Sequence, residues 1–314
     1  MRSPMERRRS RFDVIGLGIA PLDILGILPR YPSLDEKAEF TQTSIQGGGP
    51  VPTAMVTLAK LGARVSFVGK IGKDPNGALV REELVKEGVD TSHLIIEPKA
   101  KTPVAYIWID GRNGKKAIAL DRTNSSSLKP RELAREHITS GKFLHLDGRE
   151  TEACLQAAKW AKEEGIKVVL DLGSPRPKLE PLLDLTDYLI TSMGFAQAYS
   201  REIDPMEAVR ALFQPHYQAV VVTFGERGSM GYSPPVTIYQ PPFKVKVVDT
   251  TGAGDVFHGA FIYSLLQGWS LAEALKFSNG AAALKCTKIG GRKGIPSRKE
   301  VEKLIMTKQK PWNR

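Results

Sequence analysis

The sequence has 314 residues, of which 41% are hydrophobic and 25% are charged, and it contains only two cysteines, Cys154 and Cys286. This composition is typical of globular proteins, and it excludes a disulfide scaffold, a collagen-like repeat and a low-complexity chain. A chain of this length fits one large α/β domain or two smaller domains.

The formal net charge is +11, and most of it lies at the two ends of the chain. Residues 1–11 hold five arginines and one glutamate, and the last nine residues hold three further basic side chains. No basic face for nucleic acid is therefore required, and we predict no nucleic-acid partner. We expect a disordered basic tail over 1–11, a single domain over 12–306 and a tail over 307–314. Since no secretory signal or membrane-spanning apolar run is present, we predict a cytoplasmic protein without a membrane partner.

Short β-rich runs alternate with helical patterns along most of the chain. The predicted strands cover 13–19, 64–68, 142–146, 166–170, 187–191, 219–223 and 245–248, and the first predicted helices cover 52–61, 77–87, 151–164 and 204–213. Several strands, including Val220–Val222, are continuously apolar, which indicates burial on both faces of a parallel sheet. The pattern predicts an α/β fold with a doubly wound, mostly parallel sheet flanked by helices.

Two stretches interrupt this alternation. Residues 36–46 and 102–121 alternate in polarity, and the second contains the turn signals Asp110-Gly111 and Asn113-Gly114. We predict that they form a small β-sheet lid beside the main sheet. The C-terminal third is predicted to hold helices over 254–267 and 271–284, a glycine-rich loop, and a last helix with a capping box.

The segment 248–260, VDTTGAGDVFHGA, carries the clearest chemical signal. A β-rich run ends at Val248 and a helix begins near Gly254, so backbone N–H groups at the turn form a site suited to phosphate. Asp255 lies at the start of this helix. Its carboxylate either only stabilises the helix through the helix dipole or acts as a general base for an attacking hydroxyl. The local residues alone leave both interpretations open.

Four segments, in order, resemble motifs of the ribokinase (PfkB) family of carbohydrate kinases, and the match covers about residues 12–305. The segments are residues 16–23 (GLGIAPLD), 47–54 (GGGPVPTA), 223–228 (TFGERG) and 249–257 (DTTGAGDVF). The resemblance implies a ribokinase-like fold and transfer of the γ-phosphoryl group of MgATP to a sugar hydroxyl. It implies Asp255 as the base and an anion hole formed by the N–H groups of Gly252, Ala253 and Gly254.

The same resemblance implies further contacts. Sugar contacts would come from Asp23, Gly48, Gly49 and Thr53, and nucleotide contacts from Thr223, Gly225, Gly228 and Asn279. Asn279 is alternatively a polar residue on a helix surface. The resemblance also allows a K⁺ site formed by Asp249 and the carbonyl groups of Thr251, Lys288 and Gly290, and a homodimer formed through the lid, as in several relatives.

The sequence departs from the family pattern at two places. Thr53 stands where many relatives have Asn, and its hydroxyl has a shorter reach. Residues 192–195 (SMGF) stand where many relatives have the Asn-x-x-Glu motif that organises Mg²⁺ and phosphate, so water or other groups must serve that purpose. The ketohexokinase and sulfofructose kinase branches share a similar departure, which favours a ketose as acceptor.

Lys37 and Arg149 are predicted to bind the anionic end of a sugar such as sulfofructose, because sulfofructose kinases have Lys and Arg at these two places. Those kinases also use an Asn near the position of Leu120 or Arg122. The alternatives are a neutral ketose such as fructose, with Lys37 and Arg149 as surface residues, a nucleoside or ribose kinase, and a non-catalytic sugar sensor. Of the other candidates, His258 is predicted to pack behind Asp255, Cys286 to be buried, and Lys285 to be solvated.

Overall fold

The computed structural model describes residues 10–308, so the predictions for 1–9 and 309–314 lie outside the described residues. Within 10–308 the chain forms thirteen strands and ten helices. The strands are β1 (Val14–Leu17), β2 (Leu22–Leu28), β3 (Gln42–Gly47), β4 (Val65–Gly72), β5 (Leu94–Glu97), β6 (Val104–Asp110), β7 (Lys116–Asp121), β8 (Phe143–Leu146), β9 (Lys167–Leu172), β10 (Tyr188–Ser192), β11 (Ala219–Thr223), β12 (Ser229–Ser233) and β13 (Val236–Gln240). The helices are α1 (Pro50–Lys60), α2 (Pro75–Lys86), α3 (Arg135–Ile138), α4 (Thr151–Glu163), α5 (Glu180–Leu183), α6 (Met193–Ser200), α7 (Pro205–Ala211), α8 (Ala253–Leu266), α9 (Leu271–Lys285) and α10 (Arg298–Lys308).

The main sheet has nine strands in the order β13-β12-β11-β10-β9-β8-β1-β4-β5. Seven are parallel, and the hairpin β12–β13 closes one edge in antiparallel orientation. The chain builds outward from β1 in one direction to β4 and β5, and in the other direction to β8 and beyond. The strand order therefore reverses at β1, and open α/β sheets bind ligands at the carboxyl ends of strands near such a point.

Helices cover both faces of the main sheet, as the continuously apolar strands predict. One face packs against α1, α2, α8, α9 and α10 through a core that includes Phe67, Phe257 and Phe261. The other face packs against α3 to α7 through a second core that includes Leu146 and Phe195. The doubly wound architecture is confirmed.

The helix boundaries follow local capping signals. Asp74 caps α2 by accepting a hydrogen bond from the N–H of Gly77, and Ser270 with Glu273 forms a capping box at α9. Ser297 and Glu300 make the reciprocal contacts predicted for the last helix. Side chains that satisfy the first N–H groups of a helix fix where it begins.

A separate four-stranded sheet forms the lid, in the order β3-β2-β6-β7. The predicted stretches supply β3, β6 and β7, while β2 is an additional strand that pairs in parallel with β6. The inner face packs Leu25, Ile27 and Ile107 against Ile289. The outer face is defined here by Ile24, Ile45, Tyr106 and Trp108, which share one side of the sheet by register.

The tip of the lid touches the loop that precedes α8. The carbonyl of Gly114 accepts hydrogen bonds from the N–H of Thr250 at 3.1 Å and from its hydroxyl at 2.9 Å. The Lys116 ammonium donates to the Thr250 carbonyl at 3.2 Å. The lid is thus connected directly to the segment that carries the phosphate-binding motif.

The predicted strand over 245–248 is wrong, since these residues form no strand. Instead, Val248 packs against the lid core, and its N–H donates to the carbonyl of Cys286. No helix within 10–308 is long and apolar enough to cross a membrane.

Candidate active site

A cleft of about 210 Å³ opens at the carboxyl ends of the central strands. Its lining residues are Pro50, Asp147, Arg149, Asp171, Gly173, Arg176, Ser192, Thr223, Gly254, Asp255 and His258. They lie at or just after the carboxyl ends of β8, β9, β10 and β11, or in the first turns of α1 and α8. The cleft therefore lies beside the reversal point of the sheet, where the fold places ligands.

The N-terminus of α8 faces this cleft. Gly252 adopts a left-handed conformation with φ of 74°, and no side chain caps the first N–H groups of the helix. A Cβ on Gly252 would lie 2.7 Å from the Cα of Gly291, so only glycine fits here. The N–H groups of Gly252 and Gly254 have no acceptor among the described residues and are thus available to an anion, whereas the N–H of Ala253 donates to the carbonyl of Thr250 at 3.3 Å.

Gly254 differs from Gly252 in that the surrounding protein leaves room for a side chain. Gly254 is helical, and a Cβ there would meet no protein atom within 4 Å. Because Gly254 lines the cleft, a side chain would enter the space open to a ligand. The backbone requirement belongs to Gly252.

Asp255 lies in the first turn of α8, and its surroundings suit a general base. The pKa of Asp255 is raised to about 6. Burial is the largest cause, the negative charge of Asp171 adds to it, and the positive charges of His258, Lys116 and Arg149 oppose it. A carboxylate with this pKa is ionised at neutral pH and accepts a proton more readily than an ordinary aspartate.

His258 packs behind Asp255, as predicted. Its Nδ1 lies 2.7 Å from the carbonyl of Gly254, and its Nε2 lies 3.5 Å from Oδ1 of Asp171. These contacts connect the first turn of α8 to the end of β9. His258 therefore holds the turn that carries Asp255.

Two arginines line the cleft. Arg149 follows β8, and its Nε is buried without a hydrogen-bond partner among the described residues. Arg176, in the loop after β9, donates to the backbone carbonyl of Asp147 at 2.7 Å. Neither guanidinium forms an ion pair in the part of the chain that the structure describes. The cleft thus offers two cations to an incoming anion.

The predicted sugar-contact residues gather below the lid. Asp23 is buried on β2, and a Cβ on Gly48 would lie 1.9 Å from its Oδ1. Burial raises the pKa of Asp23 to about 7, against the opposing charge of Arg292. Gly49 has φ of 92° at the start of α1, and Thr53 is buried one turn later.

Gln46 on β3 faces Asp23 on β2 by register. Both polar atoms of its buried side-chain amide have no partner among the described residues. An unpaired buried amide is costly, so this position is suited to a polar ligand.

The predicted nucleotide residues lie toward the other end of the cleft. Thr223 ends β11 and lines the cleft, and Gly225 and Gly228 both have positive φ in the loop that follows. Asn279 is buried and donates to Ser229 and to the carbonyl of Gln240. Asn279 therefore joins α9 to the edge hairpin, and its alternative placement on a helix surface is wrong.

The segment 192–195 explains how the chain departs from the Asn-x-x-Glu pattern. The Ser192 hydroxyl caps α6 by accepting from the N–H of Phe195. The Phe195 side chain is fully buried in the second core. This segment supplies packing in place of a carboxylate.

A buried lysine, Lys285 at the end of α9, lies beside the predicted cation loop. The carboxylate of Asp249 accepts hydrogen bonds from the N–H groups of Thr251 and Gly290, both at 2.7 Å. The prediction that Lys285 is solvated is wrong, because its side chain is fully buried and its ammonium donates to the Asp249 carbonyl at 2.8 Å. Lys288 is exposed, and Cys286 is buried as predicted.

Lys37 does not join Arg149 in the cleft. It lies exposed between β2 and β3, and it is not among the residues that line the cleft. Leu120 is exposed on β7, and Arg122 pairs with Glu150 at 3.4 Å.

Sequence reasoning missed Asp171, Arg176 and Gln46. Asp171 and Arg176 follow a predicted strand, so the rule that ligands bind at strand ends points to both. Nothing local in the sequence marks Gln46, because its position depends on the pairing of β2 with β3.

The fold and the cleft are those expected of an α/β phosphotransferase with a lid. Comparisons with known proteins agree with this class. The chain belongs to the pfkB family of carbohydrate kinases, whose model matches residues 15–298. It is therefore a sugar kinase.

Two curated relatives and one solved structure illustrate the range of the family. A 5-dehydro-2-deoxygluconokinase of Bacillus subtilis (strain 168) is 30% identical over 317 residues, covering 94% of this chain and 96% of the relative. A ketohexokinase of Mus musculus is 27% identical over 288 residues, covering 87% and 95%. The structure of Arabidopsis thaliana ribokinase complexed with ribose and ATP has a TM-score of 0.80 and 26% identity, covering 94% of this chain and 98% of that chain.

Proposed function

We propose that this kinase transfers the γ-phosphoryl group of ATP to a primary hydroxyl of a ketose that carries an anionic group, such as the sulfonate of sulfofructose. One observation carries the proposal: Asp255 shares its cleft with Arg149 and Arg176, two cations without ion-pair partners among residues 10–308. The carboxylates of Asp147 and Asp171 act on both guanidinium groups only at longer range, and a neutral ketose such as fructose would add no charge for them to bind.

The transfer step follows from the placement of Asp255 and the start of α8. Asp255 accepts the proton of the sugar hydroxyl while the oxygen of that hydroxyl forms a bond to the γ-phosphorus. The bond from that phosphorus to the β,γ-bridging oxygen breaks, and ADP leaves with the electron pair. The N–H groups at the start of α8, above all those of Gly252 and Gly254, stabilise the charge on the transferred group.

ATP and Mg²⁺ are the cofactors of the proposal. Mg²⁺ in kinases is bound by substrate phosphates with one or two carboxylates and water. The cleft-lining carboxylates Asp147 and Asp171 fit that limited role and would hold the ion, directly or through water. Bound Mg²⁺ would neutralise phosphate charge. Residues 192–195 (SMGF) have no charged side chain that could contribute to this.

The acceptor is proposed to bind between Asp23 and the two arginines. Asp23, Gly48 and Thr53 would contact its hydroxyl groups below the lid, and Arg149 with Arg176 would bind its anionic end. Lys37 would join them only if its loop moved, so it is left out of the proposed clamp. The relatives' names support both features, since a gluconate is an anion and a ketohexose is a ketose.

The test compares kcat/KM for sulfofructose and fructose in the wild type and in Arg149→Met and Arg176→Met. We expect a preference for the charged ketose that falls by roughly tenfold to a hundredfold in either variant, the range for charge-assisted hydrogen bonds. Arg81→Met, at an exposed position of α2, serves as the matched control.

Equal use of both ketoses, unchanged in the variants, would contradict the anion clamp and favour a neutral acceptor. Including ribose, adenosine and 2-keto-3-deoxygluconate in the same assay covers the ribose-kinase, nucleoside-kinase and sugar-acid alternatives. Loss of phosphoryl transfer to every acceptor would favour the non-catalytic sugar sensor.

We further propose that two copies of this chain pair through their outer lid faces. Ile45 and Trp108 are about half exposed there, at 55% and 49%, and the four residues that define the face carry no charge. About a two-fold axis this apolar patch meets the same apolar patch of a second copy, so it is self-complementary, and the exposed Asp121 lies on the same side at the end of the edge strand β7. Apolar surface of this kind is typical of an interface.

A further inference from the structure

The loop that was expected to bind a monovalent cation already encloses a positive group. Lys285 is the last residue of α9, and its side chain is fully buried. Its Nζ lies 2.8 Å from the carbonyl oxygen of Asp249 and 3.8 Å from the carboxylate oxygen Oδ2 of the same residue. These oxygen types, a carbonyl and a carboxylate, are the ones that bind alkali cations in proteins.

The carboxylate of Asp249 does not fit an additional K⁺. Both carboxylate oxygens of Asp249 already accept backbone N–H groups, from Thr251 and from Gly290. A K⁺ bound to Asp249 would lie beside the Lys285 ammonium, and the two charges would repel strongly in a buried site. Lys288, which lies in the loop itself, is exposed.

We propose that the Lys285 ammonium is a built-in replacement for the monovalent cation, so that this kinase works without K⁺. The ammonium acts as a positioning group. It holds Asp249 in place, and the carboxylate of Asp249 accepts from the N–H groups of Thr251 and Gly290. Thr251 and Gly290 are the neighbours in sequence of Gly252 and Gly291, whose backbones lie in contact. The donors at the start of α8 are thereby kept in place. The proposal depends on phosphoryl transfer at Asp255 and not on the identity of the acceptor.

The burial of Lys285 supports this role over simple packing. A fully buried ammonium is unfavourable unless oxygen atoms compensate its charge. Among the described residues, the Lys285 ammonium donates its hydrogen bond to the Asp249 carbonyl in the loop before α8, and not to a surface group or a neighbouring helix. A space-filling side chain at the end of α9 would need no charge.

The test measures kcat in KCl and in tetramethylammonium chloride at equal ionic strength. Wild-type kcat should change less than twofold between the two salts. Lys285→Ala should lose at least tenfold in tetramethylammonium and recover most of that loss in K⁺, which can then enter the vacated space. In thermal unfolding, K⁺ should raise the Tm of Lys285→Ala and leave the wild-type Tm unchanged.

Lys285→Met repeats the test with a side chain that retains most of the packing, in case Lys285→Ala does not fold. Lys299→Ala, at an exposed position of α10, should behave as the wild type. Wild-type activation of tenfold or more by K⁺ would overturn the proposal. So would folded Lys285 variants with unchanged kcat, or with a loss that K⁺ does not restore. If neither variant folds, the wild-type response to K⁺ decides alone.

An enzyme without activity on any acceptor would refute the proposed reaction and not this role of Lys285. In that event the Tm measurement still decides, because it requires no turnover.

Discussion

The carboxylate of Asp255 combines a raised pKa with a position at the positive end of α8. Asp255→Asn keeps the shape of the side chain and removes the base. We expect kcat to fall by roughly 10²–10⁴ while ATP still binds, because proton acceptance is lost and the N–H donors remain. Steady-state kinetics and calorimetric titration with ATP measure the two properties. Near-normal turnover by Asp255→Asn would show that the base is elsewhere.

The pH dependence of the wild type follows from the same group. Since the pKa of Asp255 is about 6, we expect kcat/KM to fall about tenfold per pH unit as pH decreases below 6. An ordinary aspartate would keep the base ionised down to about pH 4. A pH profile that is flat between 7 and 5 would contradict the assignment.

The same raised pKa predicts that Asp255→Asn, which lowers kcat, makes the folded protein more stable at high pH. Folding raises the pKa of Asp255 from 3.8 to about 6, so the folded protein binds the proton more tightly than the unfolded chain. The contribution of this group to stability is therefore fully present below pH 4 and is lost as pH rises through 6. At pH 8, Asp255→Asn should increase the free energy of unfolding by ~1–3 kcal/mol. Denaturant unfolding at pH 8 checks this gain, and a loss of stability there would refute it.

At the scale of elements, the turn into α8 contains two glycines with different tasks. Gly252→Ala should destabilise the protein by about 1–3 kcal/mol, because its left-handed backbone and its approach to Gly291 leave no room for a Cβ. Gly254→Val should leave the Tm close to that of the wild type and lower kcat, since its side chain would enter only the cleft. Thermal unfolding with kinetics for both variants tests this. Equal losses of Tm would show that both glycines are structural.

Elements fixed by local signals were predicted well from the sequence. The starts of α9 and α10 depend on Ser270 and Ser297, whose hydrogen bonds span three residues. The parallel core strands were recognisable because they are continuously apolar. Strands β2, β5, β12 and β13 were missed, because each depends on pairing with a partner that the local pattern does not identify.

The sequence predicted those residues of the candidate site that belong to one continuous motif, and it missed residues that reach the site from other segments. Asp255 and Gly252 belong to a single continuous segment and were found. Arg176 was missed because it reaches the cleft from a loop that has no motif. The true environment of Lys285 depends on how the end of α9 meets the loop at Asp249, and a lysine in a sequence is ordinarily exposed.

At the scale of the whole molecule, the outer lid face predicts a dimer. Wild-type protein should have twice the mass of one chain in light scattering after gel filtration, and Trp108→Glu should have the mass of one. A charge buried at an apolar interface is costly, so this substitution separates the copies. Ile203→Glu, at a position 84% exposed outside the lid, is the control and should not change the mass. A monomeric wild type would contradict the pairing.

The contact between the lid tip and Thr250 has a consequence for how the enzyme avoids wasting ATP. A lid that opens to admit or release a sugar must break three hydrogen bonds at Thr250 or pull that loop with it. In both cases the donors at the start of α8 lose part of their support while the cleft is open to solvent. Water then meets a phosphate group whose transfer is poorly stabilised, whereas a bound sugar under a closed lid meets a complete anion hole. Hydrolysis would thus be suppressed by the architecture itself, without a separate gate.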